Sequence, residues 1–252
     1  MKWNVSYCIA KKMKKKKIIV GDNIKPSDSS WSFGGNVPKT FDQHINKSVP
    51  LYKWSHEIGL NVSDFFLPNG TKFYDIGCST GTFAKKLAER HYTKNIQIIG
   101  IDQIKEMVKV AKKNCNKFSN IKIKHGDITT AKLNHLNFIS SFYSIQFIRP
   151  SKRQDLINKI YKSLIWGGGF LFFEKVRAPD ARFQDMTTTM YNDFKLNQSF
   201  NEKEILNKTK SLKGVLEPFS SKANIQLLKR AGFKDIMCIF KFINFEGFLA
   251  IK

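Results

Sequence analysis

The chain has 252 residues, a hydrophobic share of 42% and a formal net charge of +23, which fits one α/β domain plus a short extension. It contains no run of about 18 apolar residues, which excludes a transmembrane helix, and no apolar segment follows the N-terminal lysines as a signal peptide requires. Its 4 cysteines form no Cys-x-x-Cys or Cys/His cluster, which excludes a disulfide framework and a zinc site and predicts cytoplasmic residence with partly buried thiols.

The positive charge comes almost wholly from lysines that are spread over every segment. A basic surface attracts polyanions, so contact with RNA is one interpretation. A binding site would concentrate the lysines beside aromatic residues, however, and here they are dispersed. We therefore favour a solvated lysine coat, together with the codon bias of an AT-rich genome, over a nucleic-acid site.

The first forty residues predict an extension, because the basic run 11–17 precedes a Gly/Ser/Pro/Asp-rich stretch that lacks periodicity. Residues 1–40 are thus expected to form a flexible basic extension, and residues 41–252 a single cofactor-binding domain. The domain opens with a helical pattern over Phe41–Ile58 that Pro50 interrupts.

After a Pro-Asn-Gly turn, short apolar runs alternate with amphipathic stretches. The predicted strands are Lys72–Ile76, Gln97–Ile101, Ile121–Lys124, Asn137–Phe142 and Gly169–Glu174. The predicted helices between them are Gly81–Arg90, Lys105–Lys117 and Lys152–Leu164. This alternation predicts βαβ units and a parallel sheet, and the continuously apolar runs are typical of strands that are covered on both faces.

The C-terminal part follows a different pattern. Residues 178–218 predict a mostly helical, polar insertion, and Ile236–Ile243 with Gly247–Ile251 predict an antiparallel hairpin at the sheet edge. Trp166–Gly169 predicts a turn before the fifth strand, and each of the five histidines is interpreted as a surface residue. The fold class is therefore α/β, a Rossmann-like, mostly parallel seven-stranded sheet.

A cofactor site is predicted where three consecutive strands end. The first strand leads into Asp75-Ile-Gly77-Cys78-Ser79-Thr-Gly81, where glycines let a ligand approach bare main chain. Asp102, about 20 residues beyond this turn, is placed to accept hydrogen bonds from ribose hydroxyls. Asp127 ends the next strand, where it can meet an adenine amino group. The turn has the pattern Asp-x-Gly-x-Ser-x-Gly, which differs from the tighter Gly-x-Gly-x-x-Gly of dinucleotide sites.

This turn resembles that of class I S-adenosylmethionine-dependent methyltransferases. Further blocks resemble the carboxy-S-adenosyl-L-methionine synthase family over about Phe41–Lys252. They are Phe41–Ile45, Ser48–Tyr52, Gln146–Gln154, Glu174–Lys175, Tyr191–Lys195, Ala231–Phe233 and the stretch from Asn244 onward. The resemblance implies S-adenosylmethionine as cofactor, prephenate as second substrate, a role in tRNA wobble-uridine modification, and a homodimer.

The resemblance also implies which residues bind the cofactor. The matching positions are Tyr52, Gly77, Cys78, Ser79, Asp102, Gln103, Asp127 and Ile128, to which the motif adds Asp75 and Gly81. Two positions depart from the family pattern: Phe142 replaces an asparagine that touches the cofactor, and Thr209 replaces an arginine that pairs with the added carboxylate.

The substitution at Thr209 affects the predicted activity. Threonine cannot supply the bidentate positive charge of arginine, and the neighbouring Lys210 points about 100° away on a helix. We therefore predict first a methyltransferase whose acceptor the sequence does not identify, and for which no catalytic residue can be named. Carboxy-S-adenosylmethionine synthesis is the first alternative. A basic RNA-binding protein with a vestigial cofactor site is the second.

Overall fold

A twisted seven-stranded sheet forms the centre of the protein in the computed structural model, which describes residues 33–34 and 37–252. Its strands are β1 (Lys72–Ile76), β2 (Gln97–Asp102), β3 (Ile121–His125), β4 (Leu136–Phe142), β5 (Leu164–Lys175), β6 (Asp235–Phe242) and β7 (Phe245–Ile251). Their order is β3-β2-β1-β4-β5-β7-β6. The first five strands pair in parallel, and β7 pairs antiparallel with both β5 and β6.

Eight α-helices accompany the sheet within the described residues. They are α1 (Val37–Ser48), α2 (Tyr52–Phe66), α3 (Thr82–Arg90), α4 (Lys105–Asn114), α5 (Pro150–Ser163), α6 (Ala181–Asn197), α7 (Glu202–Ser211) and α8 (Ser221–Ala231). The predicted strand–helix alternation, the helical insertion (α6 and α7) and the C-terminal hairpin are confirmed. Most of the predicted extension lies outside the described residues, and α1 begins at Val37.

Neighbouring residues of the central strands are buried in two separate cores. Phe73 and Phe138 pack into one core with α2 and α3, whereas Tyr74 and Ile139 pack into the other with α5 and α8. Because side chains alternate between the faces of a strand, a strand that is covered on both sides must be apolar at every position. This explains the uninterrupted apolar runs of the sequence.

The predicted turn at Trp166–Gly169 is wrong, because these residues belong to β5. Gly167 has φ +75°, and its N–H donates to the carbonyl of Lys252 at 2.7 Å, while the N–H of Lys252 donates to the carbonyl of Gly168 at 3.0 Å. Three successive glycines suggest a turn locally. Here pairing with the chain end keeps them in the sheet.

The first helical region also differs in length from its prediction. α1 ends at Ser48 and α2 runs from Tyr52 to Phe66, eight residues beyond the predicted end. The break is at Leu51, which is left-handed (φ 55°) and directly follows Pro50. Proline lacks the N–H that a continuous helix requires, so the chain turns there and starts a second helix.

Candidate functional site

The glycine loop leaves β1 at the carboxyl edge of the sheet and turns back towards β2. The N–H groups of Gly77 and Cys78 donate to the carbonyl of Ile101 at 2.9 and 3.0 Å. Gly77 has φ +70°, and a Cβ there would lie 2.1 Å from the Ser144 Oγ. The loop therefore needs glycine at this position for its backbone angle and for space, as the sequence predicted.

Asp102 holds the loop in place from the end of β2. Its Oδ2 accepts the N–H of Ser79 at 2.9 Å, and its Oδ1 accepts the N–H of Ile104 at 2.8 Å. Burial raises the pKa of Asp102, and these two hydrogen bonds oppose that rise. A carboxylate has about four lone-pair sites, so acceptor capacity remains for a ligand.

The predicted residues at the end of β3 lie next to this loop. The Asp127 Oδ1 accepts the N–H of Thr129 at 2.8 Å, and the Gln103 carbonyl lies 3.1 Å from the His125 Nε2. One cavity at the carboxyl edge is lined by all the predicted site residues except Gly81. Gly81 instead precedes α3, where it begins the helix.

Asp75 lies at the floor of this cavity and is almost fully buried. Its Oδ1 accepts the hydroxyl of Ser140 at 2.7 Å. Burial raises the pKa of Asp75 to about 7, and the nearby charge of Asp102 adds to the rise. A buried carboxyl of this kind becomes a strong partner for a ligand cation once it ionises.

Helix α1 covers the cavity, a feature that spacing in the sequence does not reveal. Asp42 Oδ1 accepts the hydroxyls of Thr80 and Thr82 at 2.8 and 3.2 Å, which ties α1 to the glycine loop. On the other side, the hydroxyl of Tyr191 donates to the carbonyl of Ser48 at 2.8 Å. The only local sign of this role was the family-like block that begins at Phe41.

The comparisons with known proteins agree with this geometry. Residues 73–168 match a family described as a methyltransferase domain. The carboxy-S-adenosyl-L-methionine synthase of Nautilia profundicola is 36% identical over 229 residues, covering 90% of this chain and 97% of the relative. That of Staphylococcus epidermidis is 36% identical over 223 residues, covering 88% and 97%.

This chain belongs to the carboxy-S-adenosyl-L-methionine synthase family.

Solved structures show the same fold at low identity. A putative O-methyltransferase from Nostoc punctiforme superposes with a TM-score of 0.63 at 17% identity, over 94% of this chain and 65% of that one. Human N-acetylserotonin methyltransferase, solved in complex with S-adenosylmethionine, superposes with a TM-score of 0.58 at 20% identity, over 85% and 54%. The predicted class I methyltransferase fold is confirmed, and so is the assignment as an S-adenosylmethionine-dependent transferase.

The cavity fits the cofactor of this family. S-adenosylmethionine carries a sulfonium and an amino cation, and the cavity presents three carboxylates: Asp75, Asp102 and Asp127. In a protein whose net charge is +23, this acidic concentration is a local feature of the strand ends. When bound, the cofactor supplies a carbon that the sulfonium activates, and the protein aligns and desolvates it.

Phe142, at the position of the missing asparagine, belongs to an aromatic wall of the cavity. Its ring centroid lies 4.5 Å from that of Phe83, 4.7 Å from that of His56 and 5.3 Å from that of Phe173. Tyr52 continues the wall, with its ring 4.6 Å from that of His56. Position 142 therefore presents apolar surface to the cavity, where the family resemblance implied a polar contact.

Two lysines also line the cavity, a role that the sequence analysis assigned to neither of them. Lys175, at the end of β5, and Lys208, on α7, both line it. The Lys208 Nζ lies 3.2 Å from the His44 Nε2. Thr209 does not line this cavity, and its hydroxyl donates to the carbonyl of Ile205 at 2.9 Å.

Three histidines that were interpreted as surface residues are buried: His44, His56 and His91. Burial, with a smaller contribution from Lys86, lowers the pKa of His56 to about 3, so this ring is neutral within the aromatic wall. Cys78 and Cys115 are buried, and Cys238 is exposed, contrary to its prediction. Whether these histidines and cysteines are buried depends on hydrophobic neighbours that are distant in the sequence.

In residues 33–34 and 37–252, no group of three or more His, Cys, Asp or Glu side chains is arranged to hold a metal ion. None of the helices in the same part of the chain is both long and apolar enough to cross a bilayer.

Proposed function

We propose that this chain attaches a carboxylate to the methyl group of S-adenosylmethionine, with prephenate as the source. In such a step the methyl group loses a proton, and the bond between the prephenate ring and its carboxyl carbon breaks. That carboxyl carbon bonds to the methyl carbon, while the prephenate ring becomes aromatic, expels its hydroxyl as water with the proton, and leaves as phenylpyruvate. The observation that carries the proposal is the position of Lys175 and Lys208, which put positive charge on the side of the cavity opposite the acidic strand ends. The identity of 36% over nearly the whole chain supports it.

We assign the cofactor contacts as the motif and the resemblance imply. Main chain at Gly77, Cys78 and Ser79 faces the amino-acid part of S-adenosylmethionine, with Asp75 near its amino group. The ribose contacts are Asp102 and Gln103, the adenine contacts are Asp127 and Ile128, and Tyr52 closes the pocket. Gly81 shapes the loop without lining the cavity.

The threonine at position 209 is compatible with this function. Thr209 is exposed and its hydroxyl is already engaged, so it does not hold a carboxylate in place of arginine. Lys208, one residue earlier, lines the cavity, whereas Lys210 lines neither this cavity nor its neighbour. A lysine ammonium binds a carboxylate as a point charge, without the bidentate geometry of arginine.

Mass spectrometry of the product tests the proposal. The purified protein is incubated with S-adenosylmethionine and prephenate, and the nucleoside products are separated. The proposal predicts a sulfonium that is heavier than S-adenosylmethionine by one carbon dioxide. Its absence, while S-adenosylmethionine remains bound, would contradict the proposal.

Methyl transfer to another acceptor is the second candidate, and the uncharged Thr209 favours it. In that case the same assay yields S-adenosylhomocysteine and a methylated acceptor. The vestigial RNA-binding alternative is less favoured, since Gly77, Asp102 and Asp127 are all present in one cavity. Salt-sensitive RNA binding without affinity for S-adenosylmethionine would support it.

The remaining expectations are also proposals. We propose a cytoplasmic homodimer with residues 1–40 as a basic extension, acting in tRNA modification. An exposed apolar stripe on α6, formed by Phe183, Met186 and Met190, offers a surface for the second copy. Light scattering should report a dimer, and Met190→Lys should shift it towards monomer, whereas a monomeric wild type would contradict this assignment.

A further inference from the structure

A second cavity adjoins the cofactor cavity. It has a volume of about 260 Å³ and lies between α6, α7 and the end of β5. Both cavities include Lys175, Tyr191 and Lys208 among their lining residues, so they meet along a common wall. A molecule in the second cavity would therefore lie beside the cofactor.

Two lysines of this second cavity have no anionic partner among the residues that the structure describes. Lys195 is only 8% exposed, and its Nζ lies 4.2 Å from the centre of the Tyr191 ring. The Lys175 Nζ lies 4.3 Å from the same ring centre. Among the described residues, neither ammonium forms a salt bridge or a hydrogen bond. Lysine is almost never as buried as Lys195 unless it is paired, and Lys175 is half-buried beside it, so the two cations indicate a binding site.

The electrostatic environment of the two lysines agrees. Burial, with repulsion from Lys195 and Arg177, lowers the pKa of Lys175 to about 7, and burial lowers that of Lys195 to about 8. Glu204 also lines the cavity, but its Oε2 accepts the N–H of Asn201 at 3.0 Å as part of the α7 cap. Neither lysine pKa is raised by a carboxylate, so no carboxylate in the described part of the chain neutralises the pair.

We propose that this second cavity is the binding site for an organic anion with two negatively charged groups, and that Lys175 and Lys195 hold those groups. Tyr191 lies beneath both ammonium groups and supplies an aromatic surface for the body of the anion. Lys175 and Lys195 thereby supply the positive charge that the uncharged Thr209, which lines the same cavity, cannot supply.

This inference deepens the proposed function and rests on it for the reaction, but anion binding can be measured separately. The probe is phthalate, a rigid dicarboxylate, with benzoate as the monoanion of similar body. Calorimetry is performed on the full chain saturated with S-adenosylmethionine. Lys195→Met and Lys175→Met are compared with Lys210→Met, a matched control because Lys210 is exposed and lines neither cavity.

Loss of one charge partner should weaken phthalate binding by at least about tenfold in Lys195→Met and in Lys175→Met. The Lys210→Met control should bind as the wild type does, benzoate should bind more weakly than phthalate, and Lys195→Arg should retain phthalate binding. Thermal melting and S-adenosylmethionine affinity show that each variant is folded. If Lys195→Met does not fold, Lys195→Gln takes its place.

Equal phthalate affinity in the folded wild type and in both lysine variants would overturn the inference, as would absence of phthalate binding to the wild type. If the protein forms carboxy-S-adenosylmethionine but its phthalate binding does not depend on the lysines, the proposed function holds and the anion site is contradicted. If phthalate binding depends on the lysines but that product does not form, the anion site holds and the proposed function is contradicted.

Discussion

The two sides of the carboxyl edge carry opposite charge and treat their charged groups differently. At the ends of β1, β2 and β3, carboxylates are fixed by nearby donors, as Asp102 is by the N–H groups of Ser79 and Ile104. At the end of β5 and on α6, Lys175 and Lys195 have aromatic rings beside them but form no ion pair with any described residue. The acidic side is organised before a ligand arrives, whereas the basic side needs an anion to complete it.

This contrast suggests a division of roles. In the proposed function, the cationic cofactor binds at the carboxylates and the anionic second substrate binds at Lys175 and Lys195. Buried charges that lack partners destabilise a fold, so they are retained where binding requires them. The following predictions test this contrast, from the largest expected effect to the smallest.

Asp102→Ala should lower the affinity for S-adenosylmethionine most strongly. The variant loses two charge-assisted hydrogen bonds that hold the loop, together with the proposed ribose acceptor, and we expect a loss of at least about 100-fold. Calorimetry measures the affinity, with Glu106→Ala on the exposed face of α4 as control. Unchanged affinity in Asp102→Ala would contradict the assignment of the acidic strand ends to cofactor binding.

Gly77→Ala should reduce the free energy of unfolding by about 2–4 kcal/mol, because it adds a close contact to an unfavourable backbone angle. The Cβ would lie 2.1 Å from the Ser144 Oγ. Gly70→Ala is a matched control, since Gly70 has φ +78° and its Cβ would have no neighbour within 4 Å. Urea denaturation of both variants separates the effect of the close contact with Ser144 from that of the backbone angle. Equal decreases in the free energy of unfolding would show that the contact is unimportant.

Lys195→Met should stabilise the protein at pH 7 by about 1–2 kcal/mol, because it removes an unpaired buried charge. The folded pKa of Lys195, about 8, is below its ordinary 10.5. Between these values the unfolded chain binds more protons, so wild-type stability rises with pH through this window. The advantage of the variant should therefore shrink from pH 8 to pH 10.5 in urea denaturation. A constant or growing advantage would contradict this.

Asp42→Ala should have the smallest effect, a decrease of about 3–10-fold in cofactor affinity, because it removes a carboxylate that accepts hydrogen bonds from neutral hydroxyls only. The hydrogen bonds from Thr80 and Thr82 tie α1 to the glycine loop. Stopped-flow measurements should show faster dissociation of S-adenosylmethionine. If only the association rate changes, α1 does not act as a cover.

Local sequence predicted the acidic side well and the basic side poorly. Asp75, Asp102 and Asp127 each end a strand, so the order of strands alone brings them to one edge. The Lys175–Tyr191–Lys195 arrangement depends on how the insertion folds back over β5, which no short spacing encodes. Asp42 and Thr80 likewise meet across 38 residues.

Local patterns also failed where distant partners decide the structure. The glycines at 167–169 were predicted as a turn because pairing with Lys252 was not visible in the sequence. His56 is predicted to be a surface residue, but its ring packs against Phe83 of α3 and Phe142 of β4 as well as Tyr52 of its own helix. In both cases tertiary contacts outweighed residue type.

Steady-state kinetics of carboxy-S-adenosylmethionine formation tests the division of charge most directly. With prephenate varied at saturating cofactor, Lys195→Met should raise the KM for prephenate by at least about tenfold. The KM for S-adenosylmethionine should stay within about twofold of the wild type, since the variant leaves the carboxylates intact. If the KM for S-adenosylmethionine rises and that for prephenate does not, the two sides of the edge do not divide the substrates by charge.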